Sequence, residues 1–297
     1  MLSPWWASTV KELYLNAYAK INLTLDVLRK REDGYHDLET IIHTLYLHDG
    51  ITLREASQGI TITCDDASVP TDTRNLVYRA ASLLQKTFGV ERGVEIEITK
   101  HIPIASGLGG GSSDAAVTLL GLIQMWKLRV DRRSLFDLAA RIGSDVPFFL
   151  AGGAAIVRGR GEQVEPLPAL PSTWVVLARP PLEISTAWAY AHLDLTALRR
   201  RPDTLAMQEA LRARDVPRAA RLLCNVFEEL VIPQHPVVGE LKERMTRLGA
   251  YGAAMTGTGP VVYGLVPDEG TAQRIARELA RSLDVQVDVT RTFSEQR

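Results

Sequence analysis

Residues Ile102–Ala116 read IPIASGLGGGSSDAA, with four glycines and three serines among the ten positions from Ser106 to Ala115 and no lysine. Upstream, Val94, Ile96 and Ile98 alternate with Glu95, Glu97 and Thr99, the pattern of a half-buried strand. Downstream, from Ser112 on, Ala115, Ala116, Leu119, Leu120, Ile123 and Trp126 recur at helical spacing. A strand feeding a glycine-rich turn that opens a helix is a physical recipe for an anion site. Glycines lack Cβ, so the backbone can come close to a phosphate, and the unpaired N–H groups and positive dipole end of the helix face it. Either Ser112 or Ser113 can cap the helix while the other meets phosphate or a magnesium ion. Spelling excludes two familiar phosphate loops. A Walker loop needs Lys-Ser/Thr after its second glycine, where Gly111 is followed by Ser112-Ser113. The dinucleotide fingerprint, started at Gly107 or Gly109, meets Ser112 or Asp114 in its last glycine position. A plain turn with a serine cap is the other reading.

The flanking segments give the layout. KELYLNAYAKINLTLDVLRK is a long alternating stretch that reaches Asp33-Gly34, a strong two-residue turn signal, and IIHTLYLHDGITLRE and GITITCDD continue the strand pattern. RNLVYRAASLLQKTFG switches to helical periodicity, with Leu76, Ala80, Leu83, Leu84 and Phe88 on one face. RSLFDLAARI is a second helix ending at Gly143, and GSDVPFFLAGGAAIVRGRG runs from a loop into a strand. Pro166, Pro168 and Pro171 crowd PLPALPST and mark a boundary, giving domains over 1–165 and 166–297. Beyond it STWVVLARP reads as a strand, and TAWAYAHL, MQEALRAR, RAARLLCNVFEELV and HPVVGELKERMTRLG as helices. The end reads strand, turn, strand, helix, strand, so the fold class is α+β in two domains.

A length of 297 residues fits two domains, and 46% apolar with 23% charged residues is an ordinary globular composition. With 34 basic against 35 acidic side chains, no global field draws the chain to nucleic acid or anionic lipid. The one basic run, Arg199 to Arg201 in ALRRRPD, reads as a solvated helix end. No nucleic-acid or membrane partner is therefore expected. Cys64 and Cys224 are too distant in sequence for a zinc or redox motif and suggest a reducing compartment. MLSPWWASTVKE lacks the basic start and apolar core of a signal peptide, and the longest apolar run, PFFLAGGAAIV, is too short for a membrane span. A cytoplasmic monomer or weak homodimer is expected, with the MLSPWWASTV extension packed on the domain.

PIASGLGGGSSDAA closely resembles the phosphate loop of the GHMP kinases, the family containing galactokinase, homoserine kinase and mevalonate kinase. AYAKINLTLDV near the start and AAMTGTGPVVYGLV near the end resemble two further stretches of that family. AKINLTLDVLRKREDGYHDLETII, GLGGGSSDAA, GSDVPFFL and MTGTGP together are similar to one branch, whose acceptor is 4-diphosphocytidyl-2-C-methyl-D-erythritol, and span Ala17 to Val266 with their flanks. The resemblance implies a two-domain GHMP kinase fold, with a ribosomal-protein-like N-terminal domain and a ferredoxin-like C-terminal domain. It implies ATP with Mg2+ as donor. The implied acceptor is a small molecule, the cytidine diphosphate-linked methylerythritol, phosphorylated on its 2-hydroxyl in non-mevalonate isoprenoid synthesis.

Roles follow from that resemblance residue by residue. The ATP cradle is Pro103, Ile104, Ala105, Ser106, Gly107, Leu108, Gly109, Gly110, Gly111, Ser112 and Ser113, with adenosine beside Asn75, Leu76 and Lys100. Asn75 reads equally as a helix cap, and Lys100 as an exposed strand charge. Asp145 in GSDVPF is the implied general base on the acceptor hydroxyl; a turn former before Pro147 is the plainer reading. Lys20 in AYAKINL is implied as its partner, a cation that keeps the acid ionised and stabilises developing negative charge. Asn22, two residues on and so on the same strand face, binds the same substrate end.

The cytidine is implied at Tyr35, His36 and Tyr190, since a flat aromatic stacks on a pyrimidine and an imidazole hydrogen-bonds its edge. Thr186 matches a polar substrate contact. Ser185 and Ala187 stand where the family commonly has prolines, which leaves Trp188 as an alternative to Tyr190. MTGTGP, Met255 to Pro260, places Gly257, Thr258 and Gly259 at the substrate diphosphate; a plain hairpin turn is the other reading. Ser113 is a candidate magnesium ligand, Asp114 reads as favouring the helix N-terminus, and no carboxylate metal ligand is assigned.

Three rivals remain. A kinase for homoserine or mevalonate gives the GYH and ISTAWAY aromatics nothing to stack on. A nucleotide-binding regulator need not keep both Lys20 and Asp145. An RNA-binding module conflicts with the near-zero net charge.

Overall fold

The computed structural model describes residues 11–294; the MLSPWWASTV extension lies outside them. Two long strands open the chain, β1 (Glu12–Lys30) and β2 (His36–Ala56), followed by β3 (Ile60–Cys64), α1 (Leu76–Phe88), β4 (Gly93–Thr99) and α2 (Gly110–Met125). Next come α3 (Arg132–Ile142), α4 (Val146–Ala151), the hairpin β5 (Ala154–Gly159) and β6 (Gln163–Leu167), and β7 (Trp174–Arg179). Then follow α5 (Thr186–His192), α6 (Thr204–Arg212), α7 (Val216–Arg221), β8 (Cys224–Asn225), α8 (Glu228–Gln234) and α9 (Pro236–Arg247). β9 (Gly252–Met255), β10 (Val262–Val266), α10 (Glu269–Ser282) and β11 (Gln286–Arg291) complete it. No described helix is long and apolar enough to cross a membrane.

The described residues form two interleaved compact units, one of 11–17, 48–102 and 110–150, the other of 18–47, 103–109 and 151–294. In the first, β2 pairs antiparallel with β4 (Gly50 opposite Thr99) and β4 parallel with β3 (Ile60 opposite Val94). α1 makes the crossover that a parallel pair requires. Val94, Ile96 and Ile98 face inward and their alternates outward, as the sequence pattern predicts. α2 lies so close on this sheet that a Cβ at Gly121 would come 2.5 Å from Leu53 and 2.6 Å from Leu15. Of the predicted stripe on α1, Ala80 and Leu84 are buried and Leu76 and Leu83 half-buried, while Val77 and Ala81 complete the buried face. The helix packs against both α2 and α3, so its buried face is rotated and Phe88 stays exposed at the last turn.

In the second unit β2 pairs antiparallel with β5, β5 with β6, and β1 runs parallel to β8 (Thr24 opposite Cys224). A separate antiparallel sheet has the order β11-β7-β10-β9. Counted along the chain this is 4-1-3-2 with helices after the first and third strands, the ferredoxin-like arrangement the resemblance implied. Val176, Val262, Leu241, Met245, Ile275 and Leu279 form the core between this sheet and α9 and α10. RAARLLCNVFEELV is not one helix: it breaks into α7, β8 and α8, because Asn225 carries backbone bonds that a helix interior would not permit. Arg199–Arg201 is not a helix end either. Arg201 Nη1 reaches Asp26 at 2.7 Å and the backbone N–H groups of Arg199 and Arg200 donate to Glu229.

Candidate active site

The stretch after Ile102 is irregular through Gly109, with positive φ at Ala105 (52°), Gly107 (79°) and Gly109 (76°), and α2 begins at Gly110. The helix therefore starts two residues before the Ser112 expected from the periodicity. Gly111, Ser112 and Ser113 belong to its first turn, where N–H groups have no helical partner. Ser106 serves the loop itself, donating to the Pro103 carbonyl at 2.6 Å and accepting from Leu108 N–H at 3.3 Å. A Cβ on Gly111 would meet nothing within 4 Å, so this glycine leaves open space at the helix start.

In the first unit, Lys100 is not an exposed strand charge. Its side chain is 8% exposed and its ammonium bonds to Asp49 Oδ2 and, at 3.2 Å, to Asp114 Oδ2. Asp49 Oδ1 accepts the backbone N–H groups of His101 (2.6 Å) and Ile102 (2.8 Å). Burial pushes the Asp114 acid up to about 7, against the pull of Lys100, and its Oδ1 has no hydrogen-bond partner among the described residues. Lys100 is held above its usual range, since the two carboxylates outweigh its burial. Asn75 caps α1 by accepting Val77 N–H at 2.9 Å while its amide donates to Pro70 O at 2.7 Å. Asp145 is half-buried and directly precedes α4. Its turn begins at Gly143, where a Cβ would stand 3.9 Å from Ser112 Oγ, so GSD and the start of α2 are neighbours.

In the second unit the two glycine-rich stretches meet backbone to backbone. A Cβ on Gly107 would stand 3.0 Å from the Thr256 carbonyl carbon and nearer still to its oxygen, and one on Gly257 would stand 3.0 Å from Gly107 Cα. Thr256 Oγ1 donates to Gly107 O or to Asn22 Oδ1, each at 3.2 Å, and Lys20 N–H donates to Leu108 O at 2.9 Å. Asn22 joins these parts. Its Oδ1 accepts from Lys20 Nζ (2.6 Å) and Gly257 N–H (2.9 Å), and its amide donates to Thr40 Oγ1 (2.9 Å). Tyr263, fully buried, donates to Asn22 O at 2.7 Å. Asn225 Nδ2 donates to the carbonyls of Met255 and Gly257, each at 2.8 Å, and so supports MTGTGP from the other side.

His36 and Tyr190 come together, with ring centroids 5.2 Å apart and planes at 34°, and Tyr190 packs edge-on against Phe227. Burial lowers the His36 imidazole below its ordinary range. Trp188 stacks on His192 instead, so the register brings Tyr190 to the GYH turn. Ser185, where the family commonly has proline, caps α5 by accepting Trp188 N–H at 3.3 Å. Thr186 and Thr258 hydroxyls are 3.2 Å apart, and Gly259 has φ 92° against Met255 and Ile184. Tyr35 is 51% exposed and its ring is covered by the Arg160 guanidinium at 3.6 Å, a partner invisible in the sequence. Sequence patterns do not single out Asp49, Arg160, Asn225, Thr256 or Tyr263; Thr256 and Tyr263 at least fall inside AAMTGTGPVVYGLV. Among the described residues no group of three or more His, Cys, Asp or Glu is arranged to hold a metal ion.

Residues 75–153 match the family model for the GHMP kinase N-terminal domain and 207–285 that for the C-terminal domain. The 4-diphosphocytidyl-2-C-methyl-D-erythritol kinase of Geobacillus kaustophilus is 45% identical over 285 residues, covering 95% of this chain and 98% of that one. That of Exiguobacterium sibiricum is 44% identical, covering 95% and 99%. A crystal structure of 4-(cytidine 5'-diphospho)-2C-methyl-D-erythritol kinase superposes with a TM-score of 0.82 at 35% identity, covering 95% of this chain and all of that one. The chain belongs to the GHMP kinases and, within them, to the 4-diphosphocytidyl-2-C-methyl-D-erythritol kinase family.

Proposed function

We propose that this protein transfers the γ-phosphoryl group of ATP to the 2-hydroxyl of 4-diphosphocytidyl-2-C-methyl-D-erythritol. The observation that carries the donor side is the positive-φ loop ending at Gly109 that opens α2 with two glycines and two serines. Phosphoryl transfer is mostly positioning and charge stabilisation, and a helix start with bare N–H groups supplies both for the nucleotide phosphates. Asp145 orients the acceptor hydroxyl and takes its proton. Lys20, steadied by Asn22, stabilises the negative charge that develops there. No covalent intermediate on the protein is needed.

On the acceptor side, Tyr35 offers an exposed aromatic face to the cytosine and His36 an imidazole to its edge, with Tyr190 behind His36. Contact between His36 and Tyr190 leaves no gap for a base between those two rings, so the base lies against an outer face. The paired Thr186 and Thr258 hydroxyls take the diphosphate, and Gly257 and Gly259, whose N–H groups are engaged by Asn22 and by the Thr256 carbonyl, shape the turn that carries Thr258. Asn75 acts by capping α1 at the nucleotide side and Lys100 by supporting the loop rather than by touching adenosine. Magnesium bound with ATP would neutralise charge on its phosphates, and the Ser112 and Ser113 hydroxyls in the first turn of α2 are the protein groups that would hold it. The two family matches lie on either side of the 165/166 division, while the compact units interleave along the chain.

The test is ADP release with the cytidyl acceptor, homoserine and mevalonate in parallel, for the wild type and Asp145→Asn. Turnover with the cytidyl compound alone, reduced at least about 10²-fold in the variant, is the expected result for a lost general base. Turnover with another acceptor would overturn the substrate, and an active variant would overturn the base.

A further inference from the structure

Resting on the kinase reading, we propose that Asp49, Lys100 and Asp114 form a positioning clamp that fixes both ends of the phosphate loop and thereby sets the affinity for ATP. Asp49 Oδ1 holds the N–H groups of His101 and Ile102, the last two residues before the loop. Its other oxygen takes the Lys100 ammonium, which continues to Asp114, four residues inside α2 and just after the loop. Gly110, the first residue of α2, sits directly on this cluster. A Cβ there would come 3.2 Å from Lys100 Nζ, 3.3 Å from Asp49 Oδ2 and 3.1 Å from Ile102. The residues on either side of 103–109 are thus tied to one buried ion cluster, and the intervening loop spans between fixed points.

A purely structural role explains this poorly. Ion pairs buried this deeply add little net stability over apolar packing of the same volume, because each charge must first leave water. Two carboxylates and one ammonium under a helix start are a costly way to fill space. What the cluster supplies is geometry: two backbone N–H groups and one helix residue held to a common point, at the place where backbone N–H groups must be aimed at a ligand.

The test is steady-state kinetics of the full chain, varying ATP and the cytidyl acceptor separately, for Asp49→Asn, Lys100→Met and Asp114→Asn, with Lys100→Arg as the conservative variant. Circular dichroism selects folded variants. Asp114→Asn is isosteric and keeps an oxygen that can still accept from Lys100, so it is the folding control, and Asp49→Asn and Lys100→Met are the variants that break the clamp. The expected result in those two is a rise of about tenfold in KM for ATP, with KM for the acceptor within about twofold, and partial rescue in Lys100→Arg. Unchanged ATP KM in the two when folded, or equal rises in both KM values, would overturn the clamp. Calorimetric titration with ADP keeps the two proposals apart. If the wild type turns over none of the acceptors, the substrate assignment fails, and a tenfold loss of ADP affinity in the variants still supports the clamp.

Discussion

Replacing Gly107 with alanine sets a methyl group against the Thr256 carbonyl, whereas the same change at Gly111 sets it in open space. Gly107 has φ 79°, a conformation that costs an L-residue roughly 1–2 kcal/mol. The neighbour is backbone, 3.0 Å away at the carbonyl carbon and closer at the oxygen, so no side chain can swing aside. Relief requires the two glycine stretches to separate, which lengthens the Thr256–Gly107 bond (3.2 Å) and the Asn22–Gly257 bond (2.9 Å). Overpacking of this kind typically costs about 1–3 kcal/mol, so Gly107→Ala should destabilise by about 2–5 kcal/mol in all. Gly111 has no left-handed backbone and lies inside a helix, where alanine is favoured by roughly 1 kcal/mol.

Urea unfolding and steady-state kinetics on both variants separate the two effects. Gly107→Ala should lower the unfolding midpoint and reduce kcat/KM for both substrates. Gly111→Ala should unfold no earlier than the wild type yet raise the ATP KM about tenfold, because the methyl occupies space reserved for phosphate. A Gly107→Ala protein as stable and active as the wild type would refute the backbone contact between the loops. An unchanged ATP KM in Gly111→Ala would refute a phosphate at the start of α2.

Burial pushes His43 down to about 4, and with Leu170 N–H donating to Nε2 the ring is neutral when folded. Between pH 6.5 and 4 the unfolded chain binds the extra proton. Stability is therefore complete above 6.5 and falls by about 3 kcal/mol as pH drops to 4, and urea midpoints across this range should fall less steeply in His43→Gln. Tyr263→Phe leaves the Asn22 carbonyl without its 2.7 Å donor and should cost about 1–2 kcal/mol in the same assay. Arg160→Ala removes the guanidinium from the Tyr35 ring and should raise KM for the cytidyl acceptor about fivefold, from about 1 kcal/mol of cation–π energy, while ATP KM stays constant.

What the sequence made legible was local. The glycine stretch, the Asp33-Gly34 turn, the β4 alternation and the final strand–helix–strand pattern each depend on neighbours within a few residues. The misses depend on distant partners. Asp49 meets His101 and Ile102 across 52 and 53 positions, Thr256 meets Asn22 across 234 and Tyr263 meets Asn22 across 241. β8 is two residues of strand inside an apolar run with helical spacing, and only its pairing with Thr24 and Leu25 makes it a strand. Arg160 occupies a hairpin turn, where an arginine gives no sign of the ring it covers.

Asn22 shows how such long-range bonds change a residue's meaning. Read from the strand face, it was a substrate contact beside Lys20. In the fold its one carbonyl oxygen has three protein donors within reach, Lys20 Nζ, Gly257 N–H and Thr256 Oγ1, and its amide already donates to Thr40. An amide so engaged is a poor ligand for substrate and a good anchor for a cation. Lys20 is 3% exposed, and a buried ammonium held at 2.6 Å by a fixed acceptor needs little reorganisation when negative charge develops near it, which is the condition under which such a group lowers a barrier most. On this argument Asn22→Asp is more harmful than Asn22→Ala. A second oxygen in place of the amide would face the Thr40 hydroxyl, which already donates to Thr24 O at 2.5 Å and cannot also donate there. The added negative charge would also bind the ammonium more tightly than the amide does and hold it back from the acceptor.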